Sequence, residues 1–496
     1  LNNLFPISPE SKINSGFSSA NKSISFANAF NAGVRFYRRR NPFISPLWIL
    51  FDKYYDQFEI EYAERYEKVY GFLRSSIGFA VSKFLKCGDL REGFARVHCD
   101  GCGHDMFIAF SCKARCLCPS CHQKRILELS MHISEDVCFS VSHRQFVWTI
   151  PKRFRIFFRY DRDLLKKLPK LAWEVVCEIY KAVLDRDDIV PGMIAAVQTF
   201  GELAHFHSHV HAVVTDGAFT NDGGFIPMPE IAVEPFLKLW EYKIFALLLK
   251  EGKITQDVVE NMRSWKHSGF SVNKNVLIKA NDKKGLERLV QYISRCPFSL
   301  ERIIKLTDTD QVVYKGEHKN CRKFPDPGNA TLKAGTSRNY QIFAPLDFIA
   351  EITQHIPNKG EHTIRYYGFY SNKARGVRAK SNCSESIEPA CSELAESANI
   401  AESEVEIAEE DTPQRTVCRS RWAAMIQKVY EIDPLKCPKC GEQMRIIAMI
   451  EKRDQPDVVE KILKHCNLWK EPVSRAPPAF TLEPEYIPMD EFLANF

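Results

Sequence analysis

The sequence predicts an α+β protein: an antiparallel sheet flanked by helices, with a helical, cysteine-bearing segment before it and a small cysteine-bearing module after it. Three observations carry this prediction. Residues 145–150 and 194–227 alternate in the manner of strands, the flanking stretches repeat apolar residues at helical spacing, and paired cysteines cluster at 99–121 and at 437–440. A chain of 496 residues is expected to hold two to four compact units. With 45% hydrophobic and 26% charged residues it is composed like a globular protein, which excludes fibrous and wholly disordered classes. No apolar run approaches the ~20 residues of a membrane-spanning helix, so no membrane partner is expected.

Residues 1–35, rich in Asn and Ser, read as a disordered extension. From 46 to 90, Ile49, Tyr54, Phe58, Tyr62 and Tyr66 recur at helical spacing and predict two helices, and a further helix is expected over 124–136. The run 145–150, QFVWTI, ends at Pro151 and predicts a strand; 164–184 is an amphipathic helix. Strands at 194–200, 207–215 and 224–227, separated by turn signals at Gly201 and at Thr215-Asp216-Gly217, predict three adjacent antiparallel strands. Helices follow at 235–250, 256–264 and 284–295, then a hairpin over 303–314 about Asp308-Thr309-Asp310. Two more helices are expected at 345–356 and 423–430, with a solvated Ser, Glu and Ala linker between them. The resulting division is 1–35 extension, 36–130 helical and zinc-binding, 140–375 catalytic, 376–415 acidic linker and 416–496 C-terminal module. The net charge of +6 is mild, but an acidic stretch from Glu385 to Asp411 leaves the rest more basic, which fits a polyanionic partner.

Seventeen cysteines, many of them two residues apart and with no secretory signal pattern, point to metal-bound thiolates in a reducing cytosol. Tetrahedral zinc takes four thiolate or imidazole ligands, and a CxxC turn supplies two. Cys99, Cys102, Cys118 and Cys121 are the expected structural zinc set, with Cys112, Cys116, His98 and His104 as substitutes or ligands of a second ion. Cys437-Pro-Lys-Cys440-Gly441 is half a zinc knuckle, whose partner pair is sought at His465-Cys466. Lys124 and Arg125, beside the first cluster, are placed to contact phosphates.

His205, His207, His209 and His211 alternate along one strand, so a period of two puts all four on one face, where a neighbouring pair chelates an ion. Gly285 to Arg295 carries an apolar stripe of Leu286, Leu289, Val290 and Ile293, with Tyr292 at its edge beside Arg288 and Arg295. That position suits a nucleophile anchored by its helix, although such a tyrosine also serves packing.

His207-x-His209-Val210-His211, preceded by Gln198-Thr199-Phe200-Gly201, resembles the HUH motif of rolling-circle transposases of the IS-ninety-one insertion-sequence family. The resemblance extends to Tyr62–Gly71, Cys118-Pro-Ser-Cys121-His-Gln-Lys-Arg125, Tyr292-Ile293-Ser294-Arg295, Tyr366-Tyr367-Gly368-Phe369-Tyr370 and Asp433 to Gly441. It implies an HUH nuclease core in which His209 and His211 hold magnesium or manganese, with His207, then Gln198 and Glu202, as third ligand. It further implies that a tyrosine attacks single-stranded DNA at the ends of a mobile element, leaving a 5′-phosphotyrosine and a free 3′-hydroxyl for transfer to target DNA. Tyr292 is the expected catalytic residue, with Arg288, Arg295, Lys124 and Arg125 on DNA. Two-tyrosine relatives carry a second tyrosine four residues on; Cys296 stands there, which implies a single nucleophile. Tyr366 with Tyr370 is the rival pair. The rival function is a catalytically inactive, zinc-dependent DNA-binding protein derived from a transposase. A bacterial cytoplasmic location, on the nucleoid when DNA-bound, follows from the same resemblance.

Overall fold

The computed structural model describes residues 41–306, 311–316, 322–323, 337–384 and 435–471. The expected extension 1–35 and the expected helix at 423–430 lie outside the described residues. Helices α1 (Pro46–Arg65), α2 (Glu67–Tyr70) and α3 (Ser75–Leu85) lead into strands β1 (Gly93–His98) and β2 (Asp105–Ala109). Helix α4 (Pro119–His132) runs into a wider π turn, Ile133–Val137, and then β3 (His143–Thr149). After α5 (Arg155–Tyr160) and α6 (Arg162–Leu184) come β4 (Ile189–Val190), β5 (Gly192–Phe200), β6 (Phe206–Thr215), β7 (Gly217–Thr220) and β8 (Phe225–Pro227). Helices α7 (Glu234–Lys250) and α8 (Gln256–Arg263), strand β9 (Ser271–Ile278) and helix α9 (Lys283–Ile293) follow. The remainder is β10 (Ile303–Leu306), β11 (Val312–Lys315), β12 (Arg322–Lys323), β13 (Ser337–Arg338), β14 (Tyr340–Phe343), α10 (Pro345–Thr353), β15 (Ile364–Gly368), α11 (Asn372–Ser384), β16 (Arg445–Glu451) and α12 (Pro456–His465).

The central sheet has the order β15-β5-β6-β3-β9, antiparallel throughout. Because side chains alternate across a strand, its two faces bury different sets. Phe146, Trp148, Met193, Ala195, Val210, Ala212 and Val214 pack with Val175, Val176 and Ile179 of α6 and Phe236, Trp240 and Ile244 of α7. On the other face Ile194, Ala196 and Val213 meet Leu286, Leu289, Val290 and Ile293 of α9 and Ile133 and Val137 of the π turn. The amphipathic α9 therefore lies across the face that carries His209 and His211.

Two expectations change here. Residues 224–227 do not continue the central sheet: at Gly217 (φ +157°) the chain leaves it, and β8 pairs with β7 instead. A Cβ at Gly217 would collide with the Ile226 carbonyl, so the turn demands glycine. The first residues of the expected linker 376–415 are helical, because α11 continues to Ser384, where Ala, Arg and Lys outweigh the single Gly376; residues 385–415 lie outside the described residues.

The N-terminal helices do not form a core of their own. Phe51, Phe58, Val81 and Phe84 share one with Val312, Tyr314, Phe343, Phe348 and Ile352. Likewise β16, from the segment expected as a separate C-terminal module, pairs antiparallel with β1.

Candidate active site and cysteine clusters

Strand β6 delivers His209 and His211 side by side, their Nε2 atoms 3.0 Å apart. The Nδ1–H of His209 donates to its own strand's His207 carbonyl at 2.8 Å, which leaves Nε2 as a bare lone pair. His211 Nδ1 meets the Gln145 amide of β3 at 3.1 Å. Burial depresses both imidazoles, His209 to about 4 and His211 to about 2, with the neighbouring histidine adding to the effect on His211. Both rings are thus neutral at physiological pH, the form that ligates metal.

The other histidines of the row behave differently. His205 precedes β6, and at the register shift between Gln198 and Phe200 it leaves the face, Nε2 facing Gln341 at 2.7 Å and Nδ1 facing Glu351 at 3.2 Å. All four histidines therefore do not share one face. His207 is half-buried beside His209 with its Nε2 unpartnered, but among the described residues no third His, Cys, Asp or Glu atom completes a group with the pair within 4.8 Å. Glu202 is engaged by Arg302 at 3.1 Å. Gln198 sits directly opposite His209 in the β5–β6 register; its Nε2 donates to the Ile293 and Tyr292 carbonyls at 2.7 and 3.3 Å, and its buried Oε1 has no partner.

Tyr292 is 46% exposed, and its ring stands edge-on to His211, centroids 5.6 Å apart at 88°. The Arg295 guanidinium lies over that ring at 4.8 Å, and Arg288, one helical turn back, shares the face. The rivals lie elsewhere. Tyr370 is fully buried with its hydroxyl 2.7 Å from His143 Nε2, and Tyr366 is half-buried on β15 beneath Arg375. Burial raises both phenols, which disfavours the phenolate. Arg125 of α4 and Arg295 both line a cavity of about 220 Å³ with Arg115, Arg162 and Gln198, whereas Arg288 is exposed on α9.

Among the described residues, eight cysteines form two clusters, each with four Sγ atoms within 4.8 Å of one another: Cys87, Cys112, Cys118 and Cys121, and Cys99, Cys102, Cys437 and Cys440. Sulfur separations of 3.4 to 3.8 Å match the ~3.8 Å that 2.3 Å zinc–sulfur bonds at tetrahedral angles require. This corrects the expected single set: Cys99 and Cys102 belong to one cluster, Cys118 and Cys121 to the other. Cys437 and Cys440 find their partners at the N-terminal knuckle and not at His465-Cys466. His98 instead faces Asp105 at 2.8 Å.

Residues 192–377 match the family described as "Putative transposase", and 56–150 match "Transposase zinc-binding domain", between them more than half of the chain. The chain is a transposase of the IS-ninety-one family. It is 24% identical over 399 residues to the transposase for insertion sequence element IS801 of Pseudomonas savastanoi pv. phaseolicola, covering 77% of this chain and 85% of that protein. It is 22% identical over 340 residues to the putative transposase y4qJ of Sinorhizobium fredii (strain NBRC 101917 / NGR234), covering 63% and 79%. No solved structure matches the transposase. The zinc-binding domain match and the two four-cysteine clusters together support structural zinc. No described helix is long and apolar enough to cross a membrane.

Sequence reasoning missed Cys87, a lone cysteine after α3 whose only signal is the following Gly88. It also missed Gln145, whose contact with His211 shows only when β3 is laid against β6, and His122, whose ring meets the Ser294 carbonyl just past α9.

Proposed function

We propose that the transposase binds, nicks and rejoins single-stranded DNA at the ends of a mobile element by metal-dependent transesterification through Tyr292. The observation that carries this reading is the edge-on contact of an exposed tyrosine with one member of a close, neutral histidine pair. The donor set fits a divalent ion: two facing imidazole nitrogens, with His207 Nε2 and, across the strand, Gln198 Oε1, both buried and unpartnered, as candidates for the third ligand. When bound, magnesium or manganese supplies polarisation of the scissile phosphate and offsets charge developing there.

In the chain's own part of the reaction, Tyr292 Oη forms a bond to phosphorus as the P–O3′ bond breaks. The phenolic proton is lost, and the departing O3′ leaves as a free hydroxyl after taking up a proton. The phosphotyrosine keeps the energy of the phosphodiester, so attack by a 3′-hydroxyl of target DNA restores a phosphodiester and returns the tyrosine. Arg295 over the Tyr292 ring, with Arg288, holds phosphate, while Lys124 and Arg125 of α4 contact the strand beyond. Cys296, four residues after Tyr292, leaves one nucleophile on the helix. Four thiolates at each cysteine cluster hold one structural zinc apiece.

The test is incubation with labelled single-stranded DNA from the element's ends plus manganese, scored for an adduct that survives denaturant. The adduct is expected from the unaltered protein and lost in Tyr292→Phe, His209→Ala and His211→Ala. An adduct formed by Tyr292→Phe at the unaltered rate moves the nucleophile elsewhere.

A further inference from the structure

A helix ends in carbonyls without partners inside it, and at the end of α9, immediately past Tyr292, side chains from two other elements take them. Gln198 Nε2 donates to the carbonyls of Tyr292 and Ile293. His122 Nε2–H donates to the Ser294 carbonyl at 2.9 Å. The other ring nitrogen of His122, Nδ1, accepts the Cys116 N–H at 3.2 Å, which fixes the proton on Nε2. Cys116 presents that N–H from a left-handed conformation, φ +57°.

His122 follows Cys121 directly, and α4 begins with Cys118 at its N-cap, so the first turn of α4 carries two members of the first cluster. Helix α4 lies against α9, with Gln291 Nε2 donating to Ser130 Oγ at 3.3 Å. One peptide bond therefore separates a metal-ligating thiol from the side chain that closes the helix bearing Tyr292.

We propose that His122 is a positioning residue: it couples the Cys87–Cys112–Cys118–Cys121 cluster to the C-terminal end of α9 and so holds the Tyr292 ring against His211. Its catalytic consequence rests on Tyr292 as nucleophile; its mechanical part rests on the hydrogen bonds alone. Closing the cluster fixes the first turn of α4, and the His122 ring passes that constraint to Ser294. Opening the cluster leaves the Ser294 carbonyl to water, and the last turn of α9 frays.

The experiment uses the full, zinc-loaded chain with His122→Gln, His122→Asn and His122→Leu. A glutamine amide nitrogen reaches the place of Nε2 and keeps the bond to Ser294, whereas asparagine reaches only the place of Nδ1. Hydrogen exchange is followed in the peptide spanning 286–297, with a peptide from α6 as the check on the fold, beside the adduct-forming rate at saturating DNA and the DNA Kd. Asn and Leu are expected to raise exchange in 286–297 alone and slow adduct formation about 10–100-fold with Kd little changed, and Gln to restore both. Cys87→Ser should raise exchange in the same peptide. Asn performing as well as Gln, or unchanged exchange at 286–297 in both Leu and Cys87→Ser, overturns the proposal. Because exchange is read without DNA, it separates a failed coupling from a failed nucleophile assignment, which Tyr292→Phe decides.

Discussion

His209 and His211 look equivalent in the sequence, yet they are held by different means. His209 is oriented by its own strand, through Nδ1–H to the His207 carbonyl. His211 depends on Gln145, whose amide has two orientations. With Nε2 toward the ring, His211 carries its proton on the nitrogen facing His209, and the two rings simply share a hydrogen bond. With Oε1 toward the ring, Nδ1 becomes the donor and both facing nitrogens are free for an ion. The proposed ion would thus select the second orientation, and Gln145→Leu, which keeps bulk but loses the acceptor, should weaken manganese binding about 10–100-fold. Gln145→Glu, always an acceptor, should retain or tighten it. Calorimetric titration with manganese checks both, and unchanged affinity in Gln145→Leu refutes this role. The histidine pair and Tyr292 were legible because alternation and a helical stripe are local patterns. Gln145 and His122 were not, because each acts on a residue far away in sequence.

At the scale of elements, the second cysteine cluster is built from two copies of one turn. Cys99-Asp-Gly-Cys102-Gly103 and Cys437-Pro-Lys-Cys440-Gly441 each close with a left-handed glycine, φ +67° and +80°. In each, the first cysteine's carbonyl accepts from the glycine N–H at 2.9 Å. Strands β1 and β16 then pair behind them, although 335 residues separate Cys102 from Cys437. Loop-closure entropy grows only logarithmically with length, so such a separation is tolerated. Both CxxC turns were visible in the sequence, but nothing local says which turns share an ion, and the nearer pair at Cys118 and Cys121 drew the wrong pairing. Strand β9 was missed for a related reason: its mixed burial gives no clean alternation. Zinc content measured on the purified chain should be two per molecule, falling to one in Cys437→Ser and to one in Cys87→Ser. Cys116→Ser should keep two, since Cys116 belongs to neither cluster. A value of one in the unaltered, fully loaded protein contradicts the two-cluster assignment.

Across the whole molecule, segments distant in sequence interlock so that the predicted units do not stand alone. Arg162 at the start of α6 makes a buried, two-pronged pair with Glu361, and Arg74 ties the N-terminal helices to the carbonyls of Thr353 and Ile356. Two buried histidines sit at such junctions. His355 bridges α10 to the sheet, with Nδ1 2.9 Å from Thr199 Oγ1 and Nε2 2.7 Å from the Ala204 carbonyl. His143 joins β3 to Tyr370. Burial holds each down to about 4, well below the ordinary imidazole value of about 6.5. The unfolded chain therefore takes up these protons first as pH falls. Their contribution to stability is complete above about pH 6.5 and is lost between there and about pH 4, on the order of 3 kcal/mol for each. Denaturant unfolding followed at pH 7.5 and pH 5 should show the loss, and His355→Gln, which still offers a donor and an acceptor but cannot titrate near neutrality, should show a smaller one. If His355→Gln loses as much stability on acidification as the unaltered chain, the junction at Thr199 and Ala204 is not where the protein senses acid.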